Sequence, residues 1–134
     1  QPEYLANAVE ETLRFDSPVV NSGRTAAVDF EFQGTPVLKG ESLSVSLAAA
    51  NRDPAIYPDP DRFDVRRQDT HHHAFGGGRH LCLGAHLARL EAQETFAALL
   101  QRFQHFEPCA EGHEYAPVPS FRSLKKLRLH FRAA

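Results

Sequence analysis

The chain has 134 residues, 42% of them hydrophobic, and its 15 basic and 17 acidic side chains leave a formal charge of −2. That composition fits one globular segment with a modest core, and charge spread this evenly gives neither a nucleic-acid surface nor an acidic interaction tail. No run approaches the length of a bilayer span and no signal peptide opens the sequence, so the expectation is a cytoplasmic protein with no membrane partner.

In chain order, Leu5, Ala8, Val9, Thr12 and Leu13 recur at helical spacing and predict an amphipathic helix that opens near Pro2 and is ended by Pro18. Glu11 and Arg14 lie three apart on it and share a face, as in an ordinary surface ion pair. Between 24 and 47 the period becomes two. Val28, Phe30 and Phe32 alternate with acidic residues, and Leu43, Val45 and Leu47 alternate with serines, with Gly34 and Gly40 as turn points, which predicts a small antiparallel sheet. The stretch 51–64 carries too much proline and aspartate for a regular element and reads as an ordered loop. After Gly84 a long helix is expected, with Ala85, Ala88, Ala92, Phe96, Leu99 and Phe103 on one face and Leu83, Leu87 and Leu90 on another. Apolar character on two faces calls for cover on two sides. Leu127, Leu129 and Phe131 alternate with basic residues and predict a terminal strand. No repeat or flexible linker divides the chain, so the fold reading is one α+β segment over 1–134.

The chemistry concentrates in Phe75-Gly76-Gly77-Gly78-Arg79-His80-Leu81-Cys82-Leu83-Gly84. A lone cysteine after a glycine-rich turn, just before a helix, faces unpaired backbone N–H groups and the positive end of the helix dipole. Both favour a thiolate, the form that ligates a soft metal or a haem iron. Glycines clear side chains from the approach, so a flat cofactor could lie against the backbone, and the small Ala88 one turn into the helix leaves room beside it; tight helix packing would use the same residues. His71, His72 and His73, with His80, Cys82 and His86 downstream, raise zinc as an alternative, but paired cysteine ligands are missing. Cys109, in the turn-like Pro108-Cys109-Ala110-Glu111-Gly112, reads as a second thiol of no special role.

The pattern Phe75, Gly76, Gly78, His80, Cys82, Gly84 resembles the haem-binding loop of the cytochrome P450 superfamily, and Glu11-x-x-Arg14 and Pro60-Asp61-Arg62-Phe63 resemble two further family motifs in the expected order. The likeness covers nearly the whole chain and is to the soluble bacterial members. It implies the C-terminal portion of the mainly-α P450 fold: helix, small antiparallel sheet, irregular meander, cysteine loop, long helix and terminal β hairpin, with the N-terminal part of the parent, including the oxygen-side helix, lying before Gln1. It further implies that Cys82 is the axial ligand of haem b, that Arg24 and His80 hold the propionates, that Phe75 shields the sulfur, and that Gly76, Gly84 and Ala88 border the cofactor. By the same likeness Arg62 completes a structural ion network with Glu11 and Arg14, and Val19, Val20 and Phe121 contact substrate.

The function so implied is a haem-thiolate monooxygenase that activates O2 to oxidise a small organic substrate, with NAD(P)H electrons arriving through a ferredoxin-like donor. Arg79, Arg66 and Arg67 are candidates for the docking charge. The 134-residue chain alone is expected to be inactive and to self-associate. A non-catalytic remnant that holds no haem and a zinc-binding domain are the alternatives.

Overall fold

The computed structural model describes residues 2–110 and 112–134. A 3-10 turn, Pro2–Tyr4, leads into helix α1, Leu5–Phe15. The helix stops where the Asp16 N–H bonds back to the Thr12 carbonyl at 2.9 Å, two residues before Pro18. The helix buries Val9 on one side and Glu11 with Arg14 on a roughly opposite one.

Strands β1 (Asn21–Thr25), β2 (Phe30–Phe32), β3 (Thr35–Val37) and β4 (Ser42–Ser46) form a nested hairpin, with β1 antiparallel to β4 on the outside and β2 antiparallel to β3 at the tip. Gln33 and Gly34, both at positive φ (49° and 79°), make the tip turn. Two such residues twist a two-residue connection to match the right-handed strands. The antiparallel strands expected over 24–47 form, but burial does not alternate along them, β2 being exposed at all three residues, and two of the expected strand residues lie outside the strands. Val28 sits in a bend and is exposed, and Leu47 opens a short helix, α2 (Leu47–Ala50), whose Ala49 N–H is capped by Ser46 Oγ at 3.2 Å. A serine before four helix-compatible residues is a cap signal, and here it outweighs the period-two pattern.

No regular element interrupts 51–77, which contains the predicted ordered loop. A second 3-10 turn, Gly78–His80, precedes helix α3, Ala85–Arg102. The sequence pattern carries the helix to Phe103; in the structure Phe103 already begins β5 (Phe103–Pro108), which pairs antiparallel with β8 (Leu129–Ala133). Helical spacing cannot reveal that switch, because β5 gains its ladder from a strand far along the chain, and the positive φ of His105 (57°) with a register shift between Gln104 and Glu107 breaks its alternation. Strands β6 (Glu114–Tyr115) and β7 (Leu124–Lys126) form the terminal hairpin. In the turn around Cys109 the Gly112 N–H bonds to the Cys109 carbonyl at 3.3 Å; Glu111 lies outside the described residues.

The buried apolar residues are few and mostly small: Val9, Ala26, Val37, Tyr57, Ala74 and Ala85. The largest fully buried side chains are Arg14, Glu11 and Asn51. Directional hydrogen bonds, more than apolar bulk, therefore fix how α1, the loop 51–77 and the cysteine segment sit together.

Candidate functional site

Glu11 and Arg14 are both 0% exposed, and they meet as a two-pronged pair: Arg14 Nε to Glu11 Oε2 at 2.7 Å and a terminal Arg14 nitrogen to Oε1 at 2.9 Å. Arg14 also donates to the carbonyls of Asn51 (2.9 Å), Pro60 (3.0 Å) and Arg62 (3.3 Å). Glu11 accepts the Asp64 N–H at 2.9 Å and lies 3.3 Å from Arg67 Nε. Burial pushes the Glu11 carboxyl up, but the Arg14 hydrogen bond, the Asp64 N–H and the two guanidinium charges outweigh it and hold the group below the usual range. The expected third member is corrected here. Among the described residues the Arg62 side chain, 70% exposed, reaches Asp64 at 3.8 Å and not Glu11, while Arg67 supplies the second guanidinium. Arg62 enters through its backbone carbonyl, because its side chain leaves the loop on the solvent side. Arg67, engaged with Glu11 and with the Pro58, Asp59 and Arg62 carbonyls, is likewise removed from the docking candidates.

Asn51 relays this order to the cysteine segment. Its Nδ2 donates to Ser17 Oγ at 2.7 Å, and its Oδ1 accepts the His73 N–H at 2.7 Å. The His73 carbonyl then accepts the Gly76 N–H at 2.8 Å, and the Phe75 carbonyl accepts the Cys82 N–H at 2.9 Å, closing the loop. Gly76 has φ +74°, and a Cβ there would stand 3.1 Å from the His80 carbonyl oxygen; Gly78 has φ +58°. The turn needs glycine at both places. The closed loop presents Cys82 as an exposed free thiol, and a Cβ on Gly84 would lie in ordinary contact with its Sγ, at 3.9 Å.

Beside the loop lies a cleft of about 430 Å³ lined by Arg24 and Ser22 from β1, Val45 and Leu47, and His73, Gly76, Gly77 and His80. Arg24 is exposed, one terminal nitrogen donating to Ser22 Oγ and to the Gly23 carbonyl, both at 2.7 Å. Arg24 and His80, far apart in sequence, thus face one cavity with a side-chain-free glycine edge. Val19, Val20 and Phe121 are also brought together: Val19 and Phe121 form an antiparallel bridge, and the Val20 N–H bonds to the Ser120 carbonyl at 2.9 Å. Among the described residues no three His, Cys, Asp or Glu side chains converge as a metal site, and the histidine triplet splits, His72 turning inward and His73 toward the cleft.

Sequence reading missed a second polar cluster. Glu10 takes Arg89 Nε at 2.7 Å and a terminal Arg89 nitrogen at 2.9 Å, and its Oε2 lies 3.1 Å from His72 Nε2. The Ala74 N–H donates to His72 Nδ1 at 3.1 Å, so the ring proton is on Nε2 and points at Glu10. Burial drives the His72 pKa down against the pull of Glu10, whereas for Glu10 the Arg89 and His72 contacts override burial and keep the carboxyl low. A Glu beside Glu11 and an Arg on the polar face of α3 carry no motif of their own, so their pairing is invisible before folding.

The match to known proteins is extensive. Residues 1–124 fit the family model described as Cytochrome P450. Over 130 residues the chain is 42% identical to the biotin biosynthesis cytochrome P450 of Bacillus subtilis, covering 97% of this chain and 33% of that one. The crystal structure of P450BioI with a hexadec-9Z-enoic acid ligated acyl carrier protein superposes with a TM-score of 0.92 at 42% identity, covering 98% of this chain and 34% of that one. CYP109E1 from Bacillus megaterium in complex with testosterone gives a TM-score of 0.91 at 32% identity, covering 98% and 36%. A helix under a cysteine loop, the flanking small sheets and the long helix define a haem-thiolate class of fold, its C-terminal part. The chain belongs to the cytochrome P450 family, and it spans about a third of the length of the relatives it matches.

The residues present suit a haem. An exposed thiol stands on a rigid loop, a basic residue and an imidazole face a cleft along that loop, and glycines border it.

Proposed function

We propose that this chain is the haem-thiolate part of a monooxygenase, over 1–134 as one segment, that inserts one oxygen atom of O2 into a C–H bond of a small organic substrate and reduces the other to water with two electrons and two protons. The observation that carries the reading is the free Cys82 thiol, exposed on a loop pinned by the Gly76 and Cys82 N–H bonds, with the Arg24 and His80 cleft alongside. Haem b, when bound, supplies the redox-active iron at which O2 is taken up and activated.

The protein's share is positioning and electrostatics. Cys82 would give its sulfur to the metal, and Arg24 and His80 would hydrogen-bond the two carboxylates of the cofactor across the cleft, fixing its rotation. Gly76 and Gly84 leave the backbone bare for close approach, Ala88 would leave space on the first turns of α3, and Phe75 would shield the sulfur once the cofactor is bound. Val19, Val20 and Phe121 would form one apolar wall for substrate. The two relatives solved with hexadecenoyl acyl carrier protein and with testosterone support apolar, aliphatic substrates for the family, and an organic substrate of that kind is the reading adopted.

Electrons would come from NAD(P)H through a ferredoxin-like protein, and Arg79, exposed on the loop, and Arg66, exposed before it, are the docking charges that remain once Arg67 is committed to Glu11. Among the described residues no helix is long and apolar enough to cross a membrane; a cytoplasmic location accords with that. The oxygen-side helix and most of the substrate pocket would belong to the two-thirds of the relatives that this chain does not match. The chain by itself would therefore lack coupled turnover and associate through its uncovered faces.

The test is spectroscopic. The haem-loaded, reduced, carbon-monoxide-treated protein should show the red-shifted Soret band of a thiolate ligand, and Cys82→Ser should lose it, because a neutral hydroxyl is a poor donor. A variant that keeps the band, or a wild type that takes up no haem, overturns the reading and leaves a remnant module.

A further inference from the structure

Phe75 occupies an unusual crossing of contacts. Its carbonyl accepts the Cys82 N–H at 2.9 Å, so its backbone sets one side of the cysteine loop. Its ring is touched by two members of the Glu10 cluster: the Arg89 guanidinium carbon lies 4.7 Å from the ring centroid, and the His72 ring centroid lies 5.9 Å away at 42°. Those two groups are themselves held by one carboxylate on α1. Arg89 approaches Glu10 as a planar fork, and His72, its side chain only 1% exposed, is locked between Glu10 and the Ala74 N–H. The cluster joins α1, the segment just before the loop, and α3 just after it, across 62 and 79 residues of sequence.

We propose that Glu10, His72 and Arg89 are positioning residues for the Cys82 loop, acting through the ring of Phe75, and not simply an ion pair between two helices. Resting on the haem-thiolate reading for its functional meaning, the inference concerns contacts within this chain and can be read without cofactor. Three features require it. A fork–fork pair fixes the plane of the guanidinium, and a cation held over a ring's face attracts that ring in turn. The His72 ring, itself buried and held by Glu10, is a second neighbour of the Phe75 ring at 5.9 Å between centroids. The loop's own glycines supply no side-chain packing, and the Phe75 ring is a side chain through which both helices can hold the loop's shape. A sulfur whose loop can drift would lose its orientation toward the metal and admit water or protons.

The experiment uses the 134-residue chain, cofactor-free and haem-loaded, with Glu10→Gln and Arg89→Lys; the first removes the charge and keeps the shape, the second keeps the charge and loses the fork. The expected result is that hydrogen exchange of the Cys82 amide speeds about tenfold in both variants, the scale of one lost charge-assisted pair, while amides of the β1–β4 ladder are unchanged. In the haem-loaded variants the thiolate-type carbon-monoxide band should decay toward the non-thiolate form faster by a similar factor. In a Phe75→Leu background the same substitutions should add nothing, since the ring they act through is gone. Unchanged Cys82 exchange, equal acceleration at β1–β4, or full additivity with Phe75→Leu would each overturn the proposal. If the Cys82 amide responds as expected but no thiolate band is ever seen, the haem reading fails and the positioning role stands.

Discussion

Gly76 shows what the loop demands of single residues. Its φ of +74° disfavours any side chain, and an added Cβ would stand 3.1 Å from a backbone oxygen that has little freedom to yield. Gly76→Ala should therefore cost at least about 1–2 kcal/mol from the backbone conformation alone, and more if His80 must shift. Gly77 makes the control. Its φ is −169°, ordinary extended backbone, and its Cβ would meet only the His73 ring at 3.9 Å. Denaturant melts should show Gly76→Ala clearly weaker than Gly77→Ala, and equal midpoints would mean the loop is not held as described.

His72 makes stability depend on pH. Its imidazole is buried neutral and its pKa lies below the ordinary 6.5, so the unfolded chain binds a proton more readily than the folded one. The stability this contributes is present above about pH 6.5 and falls away as pH drops through that value. Protonation would also take Nδ1 from the Ala74 N–H. Glu10 and Glu11, held below 4.5, add loss of the same sign at lower pH. The melting temperature should thus decline steadily on acidification from neutrality, and His72→Gln should flatten the upper part of that decline. A wild-type melting temperature that does not fall between about pH 7.5 and 5.5 would contradict the buried neutral assignment.

At the scale of elements, the Glu11 network ties α1 to the loop 51–77, and the structure ranks its arginines. Arg14 is fully buried and bridges Glu11 to carbonyls of Asn51, Pro60 and Arg62, so Arg14→Ala should cost roughly 3–5 kcal/mol, the range for leaving a buried charge without a partner. Arg67, whose side chain is 10% exposed, shares Glu11 and three carbonyls and should cost less than Arg14 but more than about 1 kcal/mol. Arg62→Ala should change stability by under about 1 kcal/mol, because its side chain is mostly solvated. An Arg62 effect as large as that of Arg67 in urea melts would reinstate the sequence-based assignment. Arg62 stands in the proline-rich stretch and Arg67 just beyond it, where no period runs, so nothing local could say which guanidinium turns inward.

On the scale of the whole molecule, α3 buries only Ala85, while Leu83, Leu87, Leu90, Phe96 and Leu100 are exposed, Leu83 completely. An apolar cleft of about 390 Å³ lies between α1, α3 and the β5–β8 pair, walled by Leu5, Val9, Phe96, Leu99, Phe106 and Leu129 among others. Contiguous apolar surface on that scale is unstable in water as a free face. The purified chain should therefore run above its 15.0 kDa monomer mass in light scattering, with association weakening at low temperature as hydrophobic contacts do. A monodisperse 15.0 kDa species at micromolar concentration would refute self-association.

What the sequence determined by itself was local and chemical. The cysteine loop, helices α1 and α3 and a small antiparallel sheet, though not its nested pairing, were legible because glycine positions, helical spacing and period-two patterning are properties of neighbouring residues. The two apolar faces read for α3 are, in the structure, exposed at Leu87, Leu90 and Phe96. Tertiary structure decided everything that depends on distant partners. It chose Arg67 over Arg62 for Glu11, started β5 at Phe103 by offering it β8, and gathered Glu10, His72 and Arg89 around Phe75. The physical reason is common to all three: a charge or a strand edge is satisfied by whichever partner the fold delivers, and residue type alone fixes only that a partner is needed.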